Sequence, residues 1–417
     1  MKFKLISLGC KVNSYESNAI RQMLFLNGYE ESQISPDVII INTCSVTSVA
    51  DQKSRQIIRR EKRNNINSIV VVMGCYSQKN ADYVIKECNA DIVAGTSNRN
   101  KILELIQAFL KTKKPIKMID DDVRHLKYES FGVFTLPEST RAYIKVEDGC
   151  NNFCTYCTIP YTRGNVRSRD KDEIIDEIKH LISQGFKEFV LTGIHTAFYG
   201  IDLKGIMFSD LVEEILKIPG LYRLRISSIE ESEIDDKFIN LLKNYPNIAN
   251  HLHMPLQSGS SSVLKRMHRK YNVQDFVNKV NKIREVRPDI AITTDVIVGF
   301  PGESEEEFNE TYEFIKKVNF AELHVFPFSA REGTPAYKMS GQVDPKVKNE
   351  RVSKLIELSN VLYDKYFNSF RGKELEVLLE ERNKTTGLLS GFTSNYLKIS
   401  ADLPDEYIGK IVKLKVR

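Results

Sequence analysis

The sequence predicts an α/β protein in three parts: an N-terminal parallel α/β domain, a central partial (β/α)6 barrel and a small C-terminal all-β barrel. Three observations predict this order. Strand-like and helical patterns alternate through the first two parts, several strand-like runs are followed by cysteine, glycine or polar residues, and short strands with glycine turns follow Lys373. With 417 residues, 41% of them hydrophobic, the chain has ample length to form several cores.

Composition narrows the class of protein. No stretch approaches 18 uninterrupted apolar residues, so no membrane span is predicted. The first ten residues lack the pattern of a signal peptide. Seven cysteines without an export signal therefore predict the reducing cytoplasm, where clustered cysteines bind metals or act in catalysis. The net charge of +5 permits a nucleic-acid partner without requiring one.

The N-terminal segment places cysteines just beyond its predicted strands. Three apolar runs resemble short buried strands: Phe3–Leu8 before Cys10, Val38–Ile41 before Cys44, and Ile69–Met73 before Cys75. Because the carboxyl ends of parallel strands share one edge of a sheet, these cysteines can converge. A three-thiolate cluster site is the functional interpretation, and three buried apolar cysteines are the alternative. Cys88 lies in a helical pattern and is expected to be an ordinary core or surface residue.

Helical patterns lie between these strands, and one of them is strongly basic. They cover Ser17–Gly28, Val49–Arg63 and Tyr83–Cys88. The run Asp51–Arg63 is either a solvated helix face or a surface that faces phosphate groups. The segment Lys101–Pro137 is expected to form a final helix and then a linker.

The central segment predicts six βα units. The strand candidates are Ala142–Glu147, Glu188–Ile194, Tyr222–Ser228, His251–Met254, Ala291–Val298 and Ala321–Pro327. The helical patterns include Ile174, Ile175, Ile178, Leu181 and Ile182, followed by Phe208–Ile218, Phe238–Asn244, Val273–Val286 and Glu305–Val318. Six such units suggest an incomplete parallel barrel with its chemistry at the carboxyl ends of the strands.

Three cysteines, Cys150, Cys154 and Cys157, follow the first of these strands within eight residues. Soft thiolates suit iron–sulfur clusters, and three of them on a four-iron cluster leave one iron open to a substrate. Zinc would usually take a fourth ligand nearby, which makes zinc or structural thiols the weaker alternative. The spacing CxxxCxxC with an aromatic residue before the last cysteine resembles the signature of radical S-adenosylmethionine (SAM) enzymes.

The ends of the other strands carry polar or glycine residues where a barrel would place its site. The expected SAM contacts are Tyr156 near the adenine, Glu230 at the ribose hydroxyls, and Gly193, Ser228, Gln257 and Asp295. No side chain is assigned a catalytic role, because the cofactor carries the difficult chemistry.

The C-terminal segment begins with a long helical pattern, Asp344–Phe370. The strands expected after it are Glu374–Glu380, Thr386–Gly391, Tyr396–Ser400 and Lys410–Lys415. Small β-barrels of this kind often bind RNA, and a docking or stabilising module is the alternative.

The whole chain resembles the methylthiotransferase family. The matching pieces are Gly9-Cys10-Lys11-Val12-Asn13-Ser14-Tyr15-Glu16, Asn42-Thr43-Cys44, Gly74-Cys75, Cys150–Cys157 with Ile159–Gly164, Leu191–His195, Ser227–Glu230, His253–Ser260, Gly299–Glu303 and Gly391–Tyr396. The chain departs from the family pattern at Glu231, where many relatives carry proline. The resemblance implies an auxiliary-cluster domain at 1–112, a radical SAM core at 136–366 and a TRAM domain at 369–417.

The resemblance also implies the cofactors. Cys10, Cys44 and Cys75 would hold an auxiliary [4Fe-4S] cluster, and Cys150, Cys154 and Cys157 would hold the cluster that cleaves SAM. SAM would serve as methyl donor and as radical source, and the adenosyl radical would take hydrogen from C2 of an adenine.

The opening Gly-Cys-Lys-Val-Asn resembles the branch that acts on N6-threonylcarbamoyladenosine at position 37 of tRNA. The alternatives are isopentenyladenosine in tRNA, a ribosomal-protein aspartate, or a non-catalytic cluster-carrying or RNA-binding protein. The implied partners are the tRNA anticodon stem-loop and a reductant such as flavodoxin or ferredoxin, in the cytoplasm, without membrane or DNA.

Overall fold

The computed structural model describes residues 1–132, 134 and 139–417. The end of the expected linker, and with it the boundary expected at residue 136, lies outside the described residues. Within them, no helix has the length and apolar character needed to cross a membrane.

The N-terminal part is a parallel α/β domain, as predicted. Its sheet has six strands in the order β2-β1-β3-β4-β5-β6, all parallel. The strands are β1 (Lys2–Ser7), β2 (Glu30–Glu31), β3 (Val38–Thr43), β4 (Ile69–Gly74), β5 (Ile92–Ala94) and β6 (Ile116–Met118). The helices are α1 (Lys11–Leu26), α2 (Ser48–Asn64), α3 (Cys75–Cys88) and α4 (Ile102–Thr112). Every residue of β3 and β4 is buried, as expected for central strands covered by helices on both faces.

Two of these helices begin earlier than their sequence patterns indicated. Helix α1 begins at Lys11 instead of Ser17, and α3 begins at Cys75 instead of Tyr83. In α1 the side chain of Asn13 donates to the carbonyls of Leu8 and Thr43, which fixes the first turn against the strand ends. The first turn of α1 is therefore stabilised by hydrogen bonds to other parts of the chain, and the spacing of apolar residues does not predict such a turn.

The central part is an open barrel of six parallel strands, which confirms the predicted architecture. Strands β7, β10 and β11 form one half, and β12, β13 and β14 form the other. A parallel bridge between Leu224 and Ile248 joins the halves. The strands of this part are β7 (Arg141–Lys145), β8 (Glu147–Asp148), β9 (Arg167–Ser168), β10 (Glu188–Thr192), β11 (Arg223–Ile226), β12 (His251–His253), β13 (Ala291–Val298) and β14 (Glu322–Pro327).

Helices cover the outside of this barrel and bury the apolar faces that the sequence indicated. In α6, Ile174, Ile178 and Leu181 are buried in the same core as Phe189 of β10. The helices are α5 (Ile159–Thr162), α6 (Lys171–Ser183), α7 (Phe208–Leu216), α8 (Asp236–Asn244), α9 (Ser261–Arg266), α10 (Val273–Val286) and α11 (Glu305–Val318).

The C-terminal part is a curled antiparallel sheet that follows a long helix. Helix α12 (Pro345–Asn368) has Asp344 as its N-cap and packs against β14. The sheet order is β17-β16-β15-β18, with a register shift between Leu379 and Glu381 that bends β15. Its strands are β15 (Glu374–Arg382), β16 (Leu389–Thr393), β17 (Lys398–Ala401) and β18 (Ile411–Lys415).

Candidate functional site

The fold brings the three N-terminal cysteines (Cys10, Cys44 and Cys75) to one edge of the sheet. Strands β1, β3 and β4 are neighbours, and each cysteine lies at or just beyond the carboxyl end of one of them. Gly9 has a φ of +97°, and a β-carbon there would lie 2.5 Å from Cβ of Cys44. The loop before Cys10 can therefore approach Cys44 only because residue 9 is glycine.

A fully buried guanidinium binds this set of cysteines from the barrel side. Arg163 donates from Nε to Sγ of Cys75 over 3.2 Å and from Nη2 to Asn13 over 2.9 Å. Its Nη1 lies 2.9 Å from carboxylate oxygens of both Glu16 and Asp148. Arg163 thus connects the barrel domain to the N-terminal domain at the sulfur of a candidate cluster ligand.

A network of buried ion pairs surrounds Arg163. Besides Arg163, the cations Arg99, Lys145 and Arg167 approach the carboxylates of Glu16, Asp148 and Glu129. Burial opposes ionisation of Glu16, but the charges of Arg163, Arg99 and Lys145 hold its pKa well below the ordinary value. Four cations face three carboxylates, so this network has an excess of positive charge beside the thiols.

The three core cysteines (Cys150, Cys154 and Cys157) lie in the loop that leaves the first barrel strand. Arg269 donates from Nη1 to Sγ of Cys154 over 3.3 Å, and the backbone N–H of Ile159 points to Sγ of Cys157 over 3.5 Å. Burial, followed by the neighbouring Cys154, raises the pKa of Cys157 to about 12. Such a thiol ionises at neutral pH only if a metal binds the thiolate.

The spacing of the sulfur atoms distinguishes between the two metal hypotheses. A tetrahedral zinc site with Zn–S bonds of about 2.3 Å would hold its thiolates within about 4 Å of one another. In the described part of the chain, neither set of three cysteines has its sulfur atoms within 4.8 Å of one another. The sulfur positions of neither set therefore match three thiolates bound to one zinc ion.

A cavity of about 250 Å³ opens beside the core cysteines. All three line it, together with five of the six predicted SAM contacts: Tyr156, Ser228, Glu230, Gln257 and Asp295. Glu230 accepts from Arg269 over 2.7 Å and from Asn152 over 3.1 Å, and Nε2 of His195 lies 3.3 Å away. Burial opposes its ionisation, but His195 and Arg269 lower the pKa of Glu230 to about 2. The carboxylate is therefore charged and fixed in orientation.

A second, larger cavity of about 600 Å³ adjoins the first. Gly193, the sixth predicted SAM contact, lines this cavity and not the smaller one. Ser228 and Asp295 line both cavities, so they form the wall that the two share. Cys10 lines the larger cavity and the core cysteines line the smaller one, which places Cys10 and the core cysteines on opposite sides of this wall.

The C-terminal domain supplies one wall of the larger cavity through Tyr396. The Tyr396 ring stacks on His251 with a centroid distance of 4.6 Å and on Phe392 with 4.7 Å. Arg225 binds Glu188 over 2.7 Å and donates to the carbonyls of Thr393 and Ser394. The larger cavity thus forms only when all three domains are in place.

Sequence reasoning missed several of these residues as parts of the site. Arg269 and Asn152 orient Glu230, Arg163 binds Cys75, and Tyr396 reaches the cavity from another domain. Asn152 lies between the first two core cysteines, which is a signal that could have been used. Cys88 is buried in the core under the sheet, as expected for an ordinary core residue.

An open parallel barrel with three loop thiols beside a polar cavity, joined to a second three-thiol site, defines a radical SAM protein with an auxiliary cluster. The radical SAM superfamily matches residues 144–315, and the uncharacterized protein family UPF0004 matches residues 2–95. The chain belongs to the methylthiotransferase family, whose members use SAM and two [4Fe-4S] clusters.

Three relatives carry this conclusion. A Bacillus subtilis protein named threonylcarbamoyladenosine tRNA methylthiotransferase MtaB is 47% identical to this chain, over 98% of this chain and 92% of the relative. An Aquifex aeolicus protein of the same name is 38% identical to this chain over the full length of both proteins. A tRNA-2-methylthio-N(6)-dimethylallyladenosine synthase of Acetivibrio thermocellus is 36% identical over 99% of this chain and 88% of its own.

A solved structure also shares the fold. The radical SAM methyltransferase TsrM of Kitasatospora setae has a TM-score of 0.59 at 15% identity, covering 80% of this chain and 76% of that chain.

Proposed function

We propose that this chain is a tRNA methylthiotransferase that converts N6-threonylcarbamoyladenosine at position 37 of tRNA to its 2-methylthio derivative. The observation that carries the proposal is the pair of adjoining cavities, one lined by the core cysteines and the other by Cys10. A base in the larger cavity would have the radical source behind one wall and the sulfur source at another.

The residues of the smaller cavity bind and orient SAM in this proposal. Tyr156 packs beside the adenine, and the charged Glu230 accepts from the ribose hydroxyls. Gln257 and Asp295 line the same cavity and offer polar contacts to the amino-acid end of SAM. When bound, the two clusters supply the electron that cleaves SAM and the sulfur that is transferred.

Residues around the cysteines tune and protect this chemistry. Arg163 and Arg269 each donate a hydrogen bond to a candidate ligand sulfur, and such bonds adjust the potential of a cluster. The N-terminal and C-terminal domains add walls to the larger cavity through Cys10 and Tyr396, and a base bound between them would cover the reacting groups from solvent.

The choice of nucleoside rests on the relatives and on the first cysteine motif. The Bacillus subtilis relative with 47% identity is named for threonylcarbamoyladenosine, whereas the Acetivibrio thermocellus synthase named for dimethylallyladenosine has 36%. Gly9-Cys10-Lys11-Val12-Asn13 also matches the first branch. Isopentenyladenosine in tRNA is the second candidate, because relatives named for it match the chain over nearly its full length.

The expected partners follow from this reaction. The tRNA would present its anticodon stem-loop, and a reductant such as flavodoxin or ferredoxin would supply electrons in the cytoplasm. The basic helix α2 is the candidate phosphate-facing surface, although Arg55 and Arg59 also bond the hydroxyls of Tyr76 and Tyr83.

Nucleoside mass spectrometry tests the proposal. The tRNA of a strain that lacks this gene should contain N6-threonylcarbamoyladenosine without its 2-methylthio form, and the gene returned on a plasmid should restore it. An unchanged level of the 2-methylthio form in the deletion strain would refute the proposed substrate. Loss of 2-methylthio-isopentenyladenosine instead would support the second candidate.

A further inference from the structure

The larger cavity contains a lysine directly beside the first cysteine. Lys11 follows Cys10 in the chain, begins helix α1 and lines the cavity with Gly9 and Cys10. Its side chain is partly buried. A ligand group bound by the ammonium group of Lys11 would therefore lie close to Cys10, one of the three cysteines proposed to bind the auxiliary cluster.

Lys11 differs from the other charged residues of this cavity because no partner among the described residues lies within ion-pair distance of its ammonium group, and the charge of Asp295 acts on it only from farther away. Arg225 is bound by Glu188 and by two backbone carbonyls, and Asp295 lies 3.3 Å from His253. Lys11 makes no ion pair or hydrogen bond through its ammonium group to any residue in the described ranges. An ammonium group removed from water without a partner costs free energy, which an anionic ligand would recover.

The position of Lys11 in its helix favours the same kind of ligand. It is the first residue of α1, and the first turn of that helix contains no acidic residue. The N-terminus of a helix carries a partial positive charge that adds to the charge of the ammonium group. Both features favour a carboxylate or another anion at this corner of the cavity.

The proposed substrate offers such a group, and its alternative does not. The threonylcarbamoyl substituent on N6 ends in a carboxylate, whereas a dimethylallyl group is entirely hydrocarbon. In adenine, C2 and the carbon that bears N6 flank the same ring nitrogen. A carboxylate on the N6 substituent can therefore lie on the same edge of the base as C2, the carbon that has to face the sulfur source beside Cys10.

We propose that Lys11 determines substrate specificity by pairing its ammonium group with the carboxylate of the N6-threonylcarbamoyl substituent. This inference rests on the proposed function and extends it to one residue. It also gives a physical meaning to the lysine of the Gly-Cys-Lys-Val-Asn motif. A neutral residue in its place would suit an uncharged substituent.

A competing explanation is that Lys11 only balances the negative charge of the auxiliary cluster. The two explanations predict different measurements. Pairing with substrate predicts that Lys11 matters only when the RNA carries a carboxylate. Charge balance predicts that its removal changes the reduction potential of the cluster and affects every RNA equally.

The test measures binding of anticodon stem-loop RNAs to the reconstituted full-length protein by fluorescence anisotropy. One RNA carries N6-threonylcarbamoyladenosine, and a second carries the same group with its carboxylate converted to a carboxamide. The proteins are wild type, Lys11→Met, Lys11→Arg and Lys111→Met, the last being an exposed lysine of α4 without an ion pair in the described ranges. Iron content and the circular dichroism spectrum check that each variant is folded and loaded.

Wild type and Lys111→Met should bind the carboxylate RNA about 10- to 100-fold more tightly than the carboxamide RNA. Lys11→Met should bind both equally, and Lys11→Arg should keep most of the preference. An unchanged preference in Lys11→Met would overturn the inference. So would an equal loss of affinity for both RNAs together with a shifted potential of the auxiliary cluster in redox-titrated electron paramagnetic resonance.

The same samples separate failure of this inference from failure of the proposed function. If wild type methylthiolates the threonylcarbamoyl RNA but Lys11→Met retains the preference, only the role of Lys11 is refuted. If wild type gives no product on that RNA and methylthiolates a dimethylallyl RNA, the proposed function itself fails.

Discussion

Replacing Arg163 by Met should destabilise the protein by about 3 kcal/mol, because it leaves two buried carboxylates short of a partner. Arg163 is fully buried, and its Nη1 lies 2.9 Å from both Glu16 and Asp148. Breaking a buried ion pair from one side costs about 3–5 kcal/mol. Each carboxylate keeps Lys145 within 2.8 Å, so we expect a value near the lower limit, about 3 kcal/mol.

The assay is urea unfolding of the apoprotein, followed by far-ultraviolet circular dichroism because the chain contains no tryptophan. The free energy is taken from the first transition, since a protein of three domains need not unfold in one step. Lys at position 163 keeps the charge but cannot bond two partners side by side, so Arg163→Lys should lose about 1–2 kcal/mol.

The control is Arg63→Met, which removes an exposed arginine at the end of α2 that has no ion pair in the described ranges. Its effect should stay within about 0.5 kcal/mol. A surface ion pair contributes up to about 1 kcal/mol. If the free energies of unfolding of Arg163→Met and of this control differ by less than that, the buried network does not hold the two domains together as described.

Four further predictions concern the two clusters, the RNA surface and the interface of the C-terminal domain. Replacing all core cysteines by Ala should leave about one four-iron cluster per chain, whereas unchanged iron content would contradict the two-cluster assignment. Cys10→Ala should still form 5′-deoxyadenosine but no methylthio product, and normal product formation would refute its role as a ligand. Neutralising Arg59 and Arg60 should weaken tRNA binding most at low salt, and equal affinity would assign this helix face to solvent. Burial opposes the ionisation of Glu188, but Arg225 and Arg223 hold its pKa below the ordinary value. The stabilisation by this carboxylate is therefore present above the pKa of the unfolded state and is lost as the pH falls through the lowered pKa. Glu188→Gln should therefore be less stable at pH 7 and show a shallower acid-induced loss of stability than wild type; parallel curves would refute this.

Local patterns were sufficient to predict where the six barrel strands and the two sets of cysteines lie. Apolar runs such as Val38–Ile41 and Ile69–Met73 are buried strands, because only a covered parallel strand is apolar on both faces. The polar residues at their ends could be assigned to one rim because all the strands run in the same direction. The parallel topology therefore allowed residues that are far apart in the sequence to be assigned to one site.

Contacts between distant segments could not be predicted in this way. Nothing near Arg163 in the sequence reveals its bonds to Glu16 or Cys75, which are 147 and 88 residues away. Tyr396 belongs to a strand-rich segment whose docking surface depends on Arg225. Gly193 shows that neighbouring residues can also be assigned to the wrong cavity. Residues 192–195 follow one strand and border both cavities, and their sequence does not indicate which of the two cavities each residue lines.

The three walls of the larger cavity have a consequence for synthesis of the protein. Translation produces Cys10 and the core cysteines long before Tyr396, the residue that completes the enclosure. A nascent chain therefore contains both sets of thiols before the larger cavity has its wall from the C-terminal domain. The cavity proposed for the base therefore gains its third wall only when the last domain has docked against Arg225, whereas the cavity beside the core cysteines is lined entirely by residues made earlier.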